Sequence, residues 1–489
     1  MKTKLIFLFI FLLAAALRIY NIEQKNLWFD EIFSWHISEG SIEQIVAETS
    51  GDIHPPFYYL VLKLWISFFS DSIFSMRMLS VLFGLLSMIF IYRISDKIFK
   101  NNSVTIVVLL LYAVSPVNIY YSQEARMLNL NLFLCAGSVY YFYELISKTS
   151  FKNGMLYFTF TLLAIYTHYF SLLIFFTEFL IALIFYFTKG KDKRSLINFF
   201  ISAALINLFY APWYPVFFSQ SAKGQPWRTD QTLVQSCLNA AGYFKDVFLS
   251  TYYAFENSFF IYFANLTGIV LTIFILTSVI LNFKNKKKLF SGSDYLILFF
   301  IVPYVIAILI SMKQSILLSR YLSILIPFLL FMLIYFSIKL YSKKFYFVFI
   351  AFLILASSLG IYILNNNNFK NNDYRRIITY IENNFNKGDM IIAEPHFMGW
   401  SINYHIKHNR SDLTSPVVFG WDLGMQLDSV RVKKDVNGIC FITDYSSLGR
   451  TNYDSLPQIM TGLGYSRRSF KTFYILPEKV RVDFYSKNF

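Results

Sequence analysis

The chain has 489 residues, of which 56% are hydrophobic, 20% are aromatic and only 15% are charged, and its mean hydropathy is +0.48. This balance excludes an ordinary soluble globular protein and predicts an integral membrane protein. The net charge of +15 does not indicate a nucleic-acid partner, because the basic residues cluster between apolar runs, as they do in cytoplasmic loops. The three cysteines, Cys135, Cys237 and Cys440, have no metal-binding spacing and imply no disulfide framework.

Apolar runs long enough to cross a bilayer recur from the start of the chain, and Lys/Arg-rich flanks mark their cytoplasmic ends. With Lys2 and Lys4 inside, the first span is predicted near 5–22, and the segment after it emerges on the outer face. Cleavage after the "AAA" at 14–16 is an alternative, and it would still leave residue 23 onward outside. The long run 155–188 is predicted to form two helices joined by an outer turn at "YTHYF".

The other spans are predicted near 73–95, 103–120, 127–146, 196–218, 259–282, 294–312, 321–340 and 345–364. This threading gives about eleven spans and leaves the C-terminus outside. It also places every basic cluster on one side, "KGKDKR" and "KNKKK" included, as the positive-inside rule requires.

Two parts of the chain are predicted to lie outside the membrane. The first is the outer loop 23–72, whose apolar stretch after Pro56 is too short for a span and predicts an interfacial helix. The second follows "NNNN", where short apolar runs such as "MIIAE" and "GICFITD" alternate with the helical pattern "YRRIITYIENNF". The sequence therefore predicts an α-helical polytopic transmembrane domain over 1–364 and a small extracytoplasmic α/β domain over 365–489.

The stretch "LWFDEIFSW" after the first span places two adjacent carboxylates, Asp30 and Glu31, among aromatic residues. A buried unpaired carboxylate is costly, so these groups are expected at a membrane–water boundary or in a wet cavity. Further polar candidates on the predicted outer side are Asp52, His54, Glu124, Arg126, His168, Lys313 and Arg320, with Tyr321 beside the last.

Each of these candidates also has a purely structural interpretation. The two acids could cap a helix, His54 could be an ordinary interfacial histidine, and Arg126 and Arg320 could extend to lipid headgroups. Their convergence on one face of the membrane favours a site, with carboxylates for proton transfer and cations for phosphate.

Such a set suits transfer from a lipid-linked phosphate. A carboxylate can accept the proton of an attacking hydroxyl, while Arg and Lys hold the departing phosphate. A polyprenyl tail would lie in a groove between spans, against the many Phe and Tyr side chains. The chain has no P-loop and no GxGxxG pattern, so no nucleotide site is predicted.

Several segments resemble those of the GT-C membrane glycosyltransferases, specifically the protein O-mannosyltransferases and the bacterial aminoarabinose transferases that modify lipid A. These segments are "FDE", "DIHPPFYYL", "YYSQEARMLNL", "YTHYF" and "SRYLSILIPFLL", in order over roughly 1–345. The tail beginning "NDYRRIITYIENNFNKGDMII" looks like the extracytoplasmic domain of bacterial members.

The resemblance implies a polyprenyl-phosphate-sugar donor, an inverting displacement and an acidic general base in the first outer loop. Asp30 matches the family's catalytic aspartate, with Glu31 beside it in a supporting role. Asp52 and His54 match the D-x-H-P-P pattern of the protein mannosyltransferases. The residues assigned to the donor phosphate or carrier are His54, Arg126, Lys313 and Arg320, and the further candidates are Glu124, His168 and Tyr321.

The resemblance leaves several choices open. The family does not settle metal use, and a divalent metal ion at Asp30, Asp52 and His54 is possible without being demanded by any spacing. The acceptor is a protein, a lipid or a glycan, and the location implied is a bacterial plasma membrane with the site facing the periplasm. A transporter or flippase for lipid-linked sugars, or a ligase that transfers a whole glycan, is the alternative. A transporter would need charged residues near the middle of the membrane rather than acids in one outer loop.

Overall fold

The computed structural model of the chain describes residues 2–148, 150–189, 193–223, 230–249, 258–284, 294–366, 374–386, 389–394, 396–408, 417–419, 436–444, 456–475 and 478–487. The predicted basic clusters "KGKDKR" and "KNKKK" lie largely outside these residues. Two compact units are present. The first comprises Met1–Tyr20, Gly40–Phe68 and Met76–Asn367, and the second comprises Asn21–Glu39, Phe69–Ser75 and Asn368–Phe489.

The described residues are mainly helical. The helices are α1 (Lys2–Ile19), α2 (Phe29–Glu39), α3 (Ile42–Gly51), α4 (Phe57–Phe68), α5 (Ile73–Phe99), α6 (Asn102–Ala113), α7 (Pro116–Ser122), α8 (Leu128–Ser147), α9 (Phe151–Ile165), α10 (Ser171–Lys189), α11 (Lys193–Tyr210), α12 (Tyr214–Lys223), α13 (Leu233–Leu249), α14 (Ser258–Lys284), α15 (Asp294–Ser311), α16 (Ile326–Leu340), α17 (Lys343–Asn366), α18 (Tyr374–Asn384), α19 (His396–His408) and α20 (Leu456–Gly462). Short 3-10 helices lie at Ala211–Trp213 and Tyr321–Leu325. The strands are β1 (Met390–Glu394), β2 (Val417–Phe419), β3 (Gly438–Asp444), β4 (Tyr465–Ile475) and β5 (Glu478–Lys487).

Helices occupy every predicted span, and the chain is a polytopic membrane protein. Within the described residues, five stretches are long and apolar enough to cross a membrane on their own, and one bent helix pair would make a sixth. The five are Ile73–Phe99, Leu196–Lys223, Phe259–Asn282, Tyr321–Leu340 and Lys343–Asn366. The other predicted spans are helices that fall short of this test by length, hydropathy or charge.

The predicted span 103–120 is formed by two helices with a bend between them rather than by one straight helix. The chain bends by 55° between α6 and α7, where Pro116 starts the second helix. Proline has no N–H to donate and clashes with the preceding turn, so the carbonyls at the end of α6 lose their helical partners. The guanidinium of Arg18, fully buried at the end of α1, replaces them by donating to the carbonyls of Ala113 at 3.1 Å and Tyr112 at 3.4 Å.

The stretch Tyr321–Leu340, which comprises a 3-10 turn and α16, lies in the interior of the first unit. Of its apolar window, 89% is buried, compared with 33% for the stretch in α14. Its sequence is apolar on every face, which is typical of a helix surrounded by other helices. Arg320 and Tyr321 stand at the start of this buried stretch, so their positions are fixed by the packing of the bundle.

The second unit contains a five-stranded sheet of order β2-β1-β3-β5-β4. Strand β1 pairs in parallel with β2 and β3, and β5 pairs antiparallel with β3 and β4. Alternating residues of β1 face opposite sides: Ile391 packs with α18 and α19, and Ile392 packs with α20. The prediction of an α/β fold in the tail is confirmed.

Helix α2 and the segment 69–75 also belong to the second unit. Trp35 of α2 packs edge-on against Tyr404 of α19, with ring centroids 5.1 Å apart, and its indole donates to the Asp71 carboxylate at 3.2 Å. Asp71 also accepts from Lys407 at 2.9 Å and contacts His408 at 3.0 Å. Although burial acts to raise it, these hydrogen bonds hold the pKa of Asp71 below its usual value.

Candidate active site

His168 lies at the centre of the polar residues in the first unit. It follows α9 and is 3% exposed, with its ring 5.3 Å from that of His54 and 5.5 Å from that of Tyr321. The "DIHPP", "YTHYF" and "SRY" segments, which are far apart in sequence, therefore meet here. We name the group formed by His54, Arg126, His168, Arg320 and Tyr321 the cation–histidine cluster.

Backbone and side-chain hydrogen bonds hold the loops of this cluster together. The N–H of Phe57 donates to the carbonyl of Tyr166 at 3.1 Å, which joins the start of α4 to the end of α9. Tyr169 donates to Gln220, whose amide in turn donates to the carbonyl of Thr49 at 2.8 Å. Trp213 donates to the Tyr169 hydroxyl at 3.0 Å. The loop that carries Asp52 and His54 is thus tied to the loop that carries His168.

The protonation of His168 follows from its contacts. Its Nδ1 accepts a hydrogen bond from the backbone N–H of Phe170 at 3.2 Å, so the hydrogen of the neutral ring lies on Nε2. Burial, together with the positive charges of Arg126 and Arg320, lowers the pKa of His168 to about 3. The ring is therefore neutral at physiological pH. Its buried Nε2–H makes no hydrogen bond to any residue that the structure describes.

The two arginines reach the cluster from different segments. Arg126 is buried beside α7, where Ser80 of α5 donates to the carbonyls of Glu124 at 2.6 Å and Arg126 at 3.4 Å. Arg320 donates through Nη2 to the Tyr321 hydroxyl at 3.2 Å, with its guanidinium carbon 4.9 Å from the centroid of the same ring. Both arginines act electrostatically on His168, so two cations and a neutral N–H donor converge.

Sequence reasoning missed Asp246, which lies on α13 between the predicted spans 196–218 and 259–282. Asp246 accepts a hydrogen bond from Ser319, the neighbour of Arg320, at 2.7 Å. Tyr243, one turn earlier on α13, donates to the carbonyl of Leu322 at 3.0 Å. The i, i+4 spacing of Tyr243 and Val247 is the signal that could have indicated this helix.

The remaining predicted residues of the first unit take different positions. Asp52 is the half-buried C-cap of α3. Burial raises the pKa of the Tyr169 phenol to about 12, and the negative charge of Asp52 adds a smaller contribution in the same direction. Glu124 is buried within the turn that leads to Arg126. Lys313 is exposed beyond the end of α15, and no described contact joins it to the cation–histidine cluster.

Asp30 and Glu31 start helix α2 in the second unit. Glu31 is fully buried, and its Oε2 accepts a hydrogen bond from the backbone N–H of Trp28 at 3.3 Å, which is a helix-capping contact. Asp30 is half-buried, and its carbonyl accepts from Ser34 at 2.9 Å. The capping interpretation therefore holds for Glu31.

No group of three or more His, Cys, Asp or Glu side chains that could hold a metal ion occurs in the part of the chain that the structure describes. The possible metal site at Asp30, Asp52 and His54 therefore has no support in the geometry. The three cysteines are free thiols, as the absence of a disulfide framework in the sequence predicts.

Comparisons with known proteins show which family model and which solved structures the chain is similar to. Residues 53–214 match the sequence model of the family described as dolichyl-phosphate-mannose-protein mannosyltransferase. The structure of ArnT from Cupriavidus metallidurans in the apo state is similar, with a TM-score of 0.59, 10% identity and coverage of 97% of both chains. The same protein bound to undecaprenyl phosphate gives a TM-score of 0.58, 11% identity and 97% coverage of both chains. A search of curated proteins found no match.

The chain is thus a polytopic membrane protein of the GT-C fold. Within this class, the match over 53–214 relates it to the glycosyltransferases, which confirms the resemblance stated from the sequence motifs. The matched segment includes His54, Arg126 and His168, whereas Asp30 and Arg320 lie outside it.

Proposed function

We propose that the protein is a membrane glycosyltransferase that transfers a sugar from a polyprenyl-phosphate-sugar donor to an acceptor on the outer side of the membrane. The observation that carries this proposal is the buried Nε2–H of His168, which has no hydrogen-bond acceptor among the described residues. The positive charges of Arg126 and Arg320 act on the same ring. A site with two cations and a neutral donor fits the oxygens of a phosphate.

Further support comes from the relatives. The family model that matches 53–214 is described by its use of dolichyl-phosphate mannose, and ArnT, which has the same fold, has a structure bound to undecaprenyl phosphate. Both ligands named are polyprenyl phosphates. A donor of this class needs no nucleotide site, in agreement with the sequence.

The reaction would proceed by a single inverting displacement. An acceptor hydroxyl attacks the anomeric carbon of the sugar as a carboxylate removes its proton, and the bond between that carbon and the phosphate oxygen breaks. The electron pair leaves with the polyprenyl phosphate, whose growing negative charge is stabilised by Arg126 and Arg320 and by a hydrogen bond from His168. His54 and Tyr321 fix the His168 ring through their packing.

Asp30 is proposed as the general base, because it matches the catalytic aspartate of the resembled family. Glu31 would support it by holding the first turn of α2 in place. Asp52 is the competing candidate, because it belongs to the same unit as the cation–histidine cluster. The proposed division is a transmembrane catalytic domain over 1–364 and an extracytoplasmic domain over 365–489, in a bacterial inner membrane.

The proposal is tested by incubating purified protein with a panel of polyprenyl-phosphate sugars, hexoses and pentoses, and measuring release of free polyprenyl phosphate. One donor class is expected to give release that depends on added protein, lipid or glycan acceptor. Movement of intact donor across vesicles without release would support a flippase instead. Release of polyprenyl pyrophosphate from a pyrophosphate-linked glycan would support a ligase.

A further inference from the structure

A cavity lies away from the cation–histidine cluster, near the C-terminal end of α5. It has a volume of about 660 Å³ and is formed by the ends of α5, α8, α10, α11 and α15. Seventeen residues of α5 separate Ser80, which contacts the Arg126 segment, from Lys97, which lines this cavity. That separation is about 26 Å along a helix, close to the thickness of the hydrocarbon core. The cluster and the cavity therefore lie near opposite ends of α5.

The walls of this cavity suit an amphiphile. Apolar side chains from all five helices line it, among them Ile94, Phe142, Ile181 and Phe299, and the tyrosines Tyr140, Tyr143 and Tyr295 contribute phenols. Its volume falls within the range of about 300–1,000 Å³ that is usual for pockets holding one drug-sized molecule. One lipid headgroup with the upper part of its chains would fill it.

The charge at the cavity is basic. Lys97 and Lys100 line it, and no carboxylate is among its described lining residues. Arg93 donates to the Tyr140 hydroxyl at 3.5 Å, and Lys97 lies 5.6 Å from the ring centroids of Tyr140 and Tyr143. Arg93 and Lys97 lie one turn apart on α5, and Lys100 directly follows its last residue, so three cations lie at this end of the helix.

An ion pair neutralises only part of this charge. Lys97 pairs with Glu144 on α8, whereas Lys100 has no ion-pair partner among the residues that the structure describes. A net positive charge beside an apolar cavity attracts an anion that carries a hydrocarbon tail, and basic pockets between membrane helices commonly hold anionic lipid headgroups.

We propose that this cavity binds an acidic phospholipid from the leaflet at the Lys97 end, which the charge pattern predicts to be the inner one. The phosphate would contact Lys97 and Lys100, and the acyl chains would pack on Phe142 and Ile181. This site is separate from the donor site, and its occupancy does not depend on the proposed transferase activity.

The test is native mass spectrometry of the purified full-length protein with equal amounts of phosphatidylglycerol and phosphatidylcholine of matched chains. The wild type is expected to retain phosphatidylglycerol preferentially. In the variant K97Q/K100Q the preference for phosphatidylglycerol over phosphatidylcholine should fall about ten- to thirtyfold, because each lysine near an anionic headgroup strengthens the binding of that lipid. The matched control K343Q/K344Q removes two exposed lysines on the same predicted side that do not line the cavity, and it should bind like the wild type.

A second variant tests the apolar part of the cavity independently of Lys97 and Lys100. Ile146→Trp narrows the cavity without changing a charge and should also lower phosphatidylglycerol retention. Equal retention of the two lipids by the wild type, full retention by Ile146→Trp, or an equal loss in the control pair would overturn the proposal. Displacement of phosphatidylglycerol by equimolar undecaprenyl phosphate would also overturn it, because the occupant would then be the carrier lipid.

Discussion

The cation–histidine cluster and helix α2 differ in charge, burial and the way they are held. The cluster lies in the first unit, where hydrogen bonds between loops fix Arg126 and His168 among buried side chains. Helix α2 lies in the second unit, where Trp35 and the Asp71 carboxylate join it to α19 through side-chain contacts. The proposed phosphate-binding groups and the proposed base thus belong to different compact units. Phosphate binding and proton transfer should accordingly be separable by mutation.

The largest effect is expected from loss of the base. A positioned general base contributes about 10²–10⁴-fold to a rate, so Asp30→Asn should reduce turnover by that factor while donor binding is retained. Glu31→Gln should reduce turnover less, since its role is to cap α2. Turnover should be compared on purified protein with intact folding. Full turnover in Asp30→Asn together with abolished turnover in Asp52→Asn would assign the base to Asp52, which lies in the same unit as the cluster.

The next largest effect should follow removal of a phosphate contact. A charge-assisted hydrogen bond contributes about 1.5–3 kcal/mol, so Arg320→Ala should weaken donor use by roughly ten- to a hundredfold. Arg126→Ala should behave similarly. Lys313→Ala is the matched control, because this exposed cation has no described contact with the cluster. Steady-state kinetics at varied donor concentration would measure the change. An equal loss in the lysine variant would indicate a general effect of charge.

A smaller effect is expected at His168. His168→Leu removes the Nε2–H donor and should weaken donor binding by about tenfold, the value of one neutral hydrogen bond in a buried site. His168→Gln restores an N–H donor at a similar distance and should recover most of the affinity. Titrations of both variants with the donor would distinguish a hydrogen-bonding role of His168 from a packing role. If Gln and Leu give the same loss, the role of His168 is packing against His54 and Tyr321.

The sequence predicted most of the first unit but little of how its loops meet. Apolar length alone indicated α5, α14 and α17, since spanning helices need only local hydrophobicity. It could not indicate the bend at Pro116, because a proline inside an apolar run is compatible with a straight span until the compensating contact of Arg18 is known. Nor could it assign α2 to the second unit, since that depends on contacts between Trp35 and Tyr404, which are 369 positions apart.

The sequence likewise indicated only some of the residues of the candidate site. The predicted topology placed Arg126, His168 and Arg320 on one face of the membrane, and in the structure both arginines act electrostatically on His168 within the first unit. Lys313 met the same charge criterion but lies exposed, because residue type alone does not fix where a loop side chain packs. Asp246 was overlooked for the converse reason, since only its contact with Ser319 reveals it.

The Asp71 cluster should govern the stability of the second unit. Asp71→Asn removes the charged partner of Lys407 and His408 and should lower the free energy of unfolding by about 1–3 kcal/mol. Glu39→Gln, which removes only an exposed ion pair with Lys407, should change it by less than about 1 kcal/mol. Hydrogen exchange over α2 and α19 would measure the change in stability in both variants. Unchanged protection in the Asp71 variant would contradict the role given to this residue.

The smallest effect concerns pH. Because the pKa of His168 is about 3 in the folded protein and about 6.5 when unfolded, the unfolded chain takes up the proton first as pH falls. Burial of this neutral ring therefore costs stability progressively below pH 6.5, by about 1–2 kcal/mol at pH 5. His168→Gln should lose correspondingly less stability between pH 7.5 and pH 5 in chemical unfolding. Parallel pH curves for the two proteins would refute a buried neutral His168.

Binding of undecaprenyl phosphate to the purified protein tests the central claim most directly, because it isolates phosphate recognition from proton transfer. Saturable binding is expected for the wild type and for Asp30→Asn with equal affinity, and R126A/R320A should lose at least tenfold in affinity. The opposite pattern, with binding intact in the double arginine variant and lost in Asp30→Asn, would contradict a phosphate site at the cation–histidine cluster.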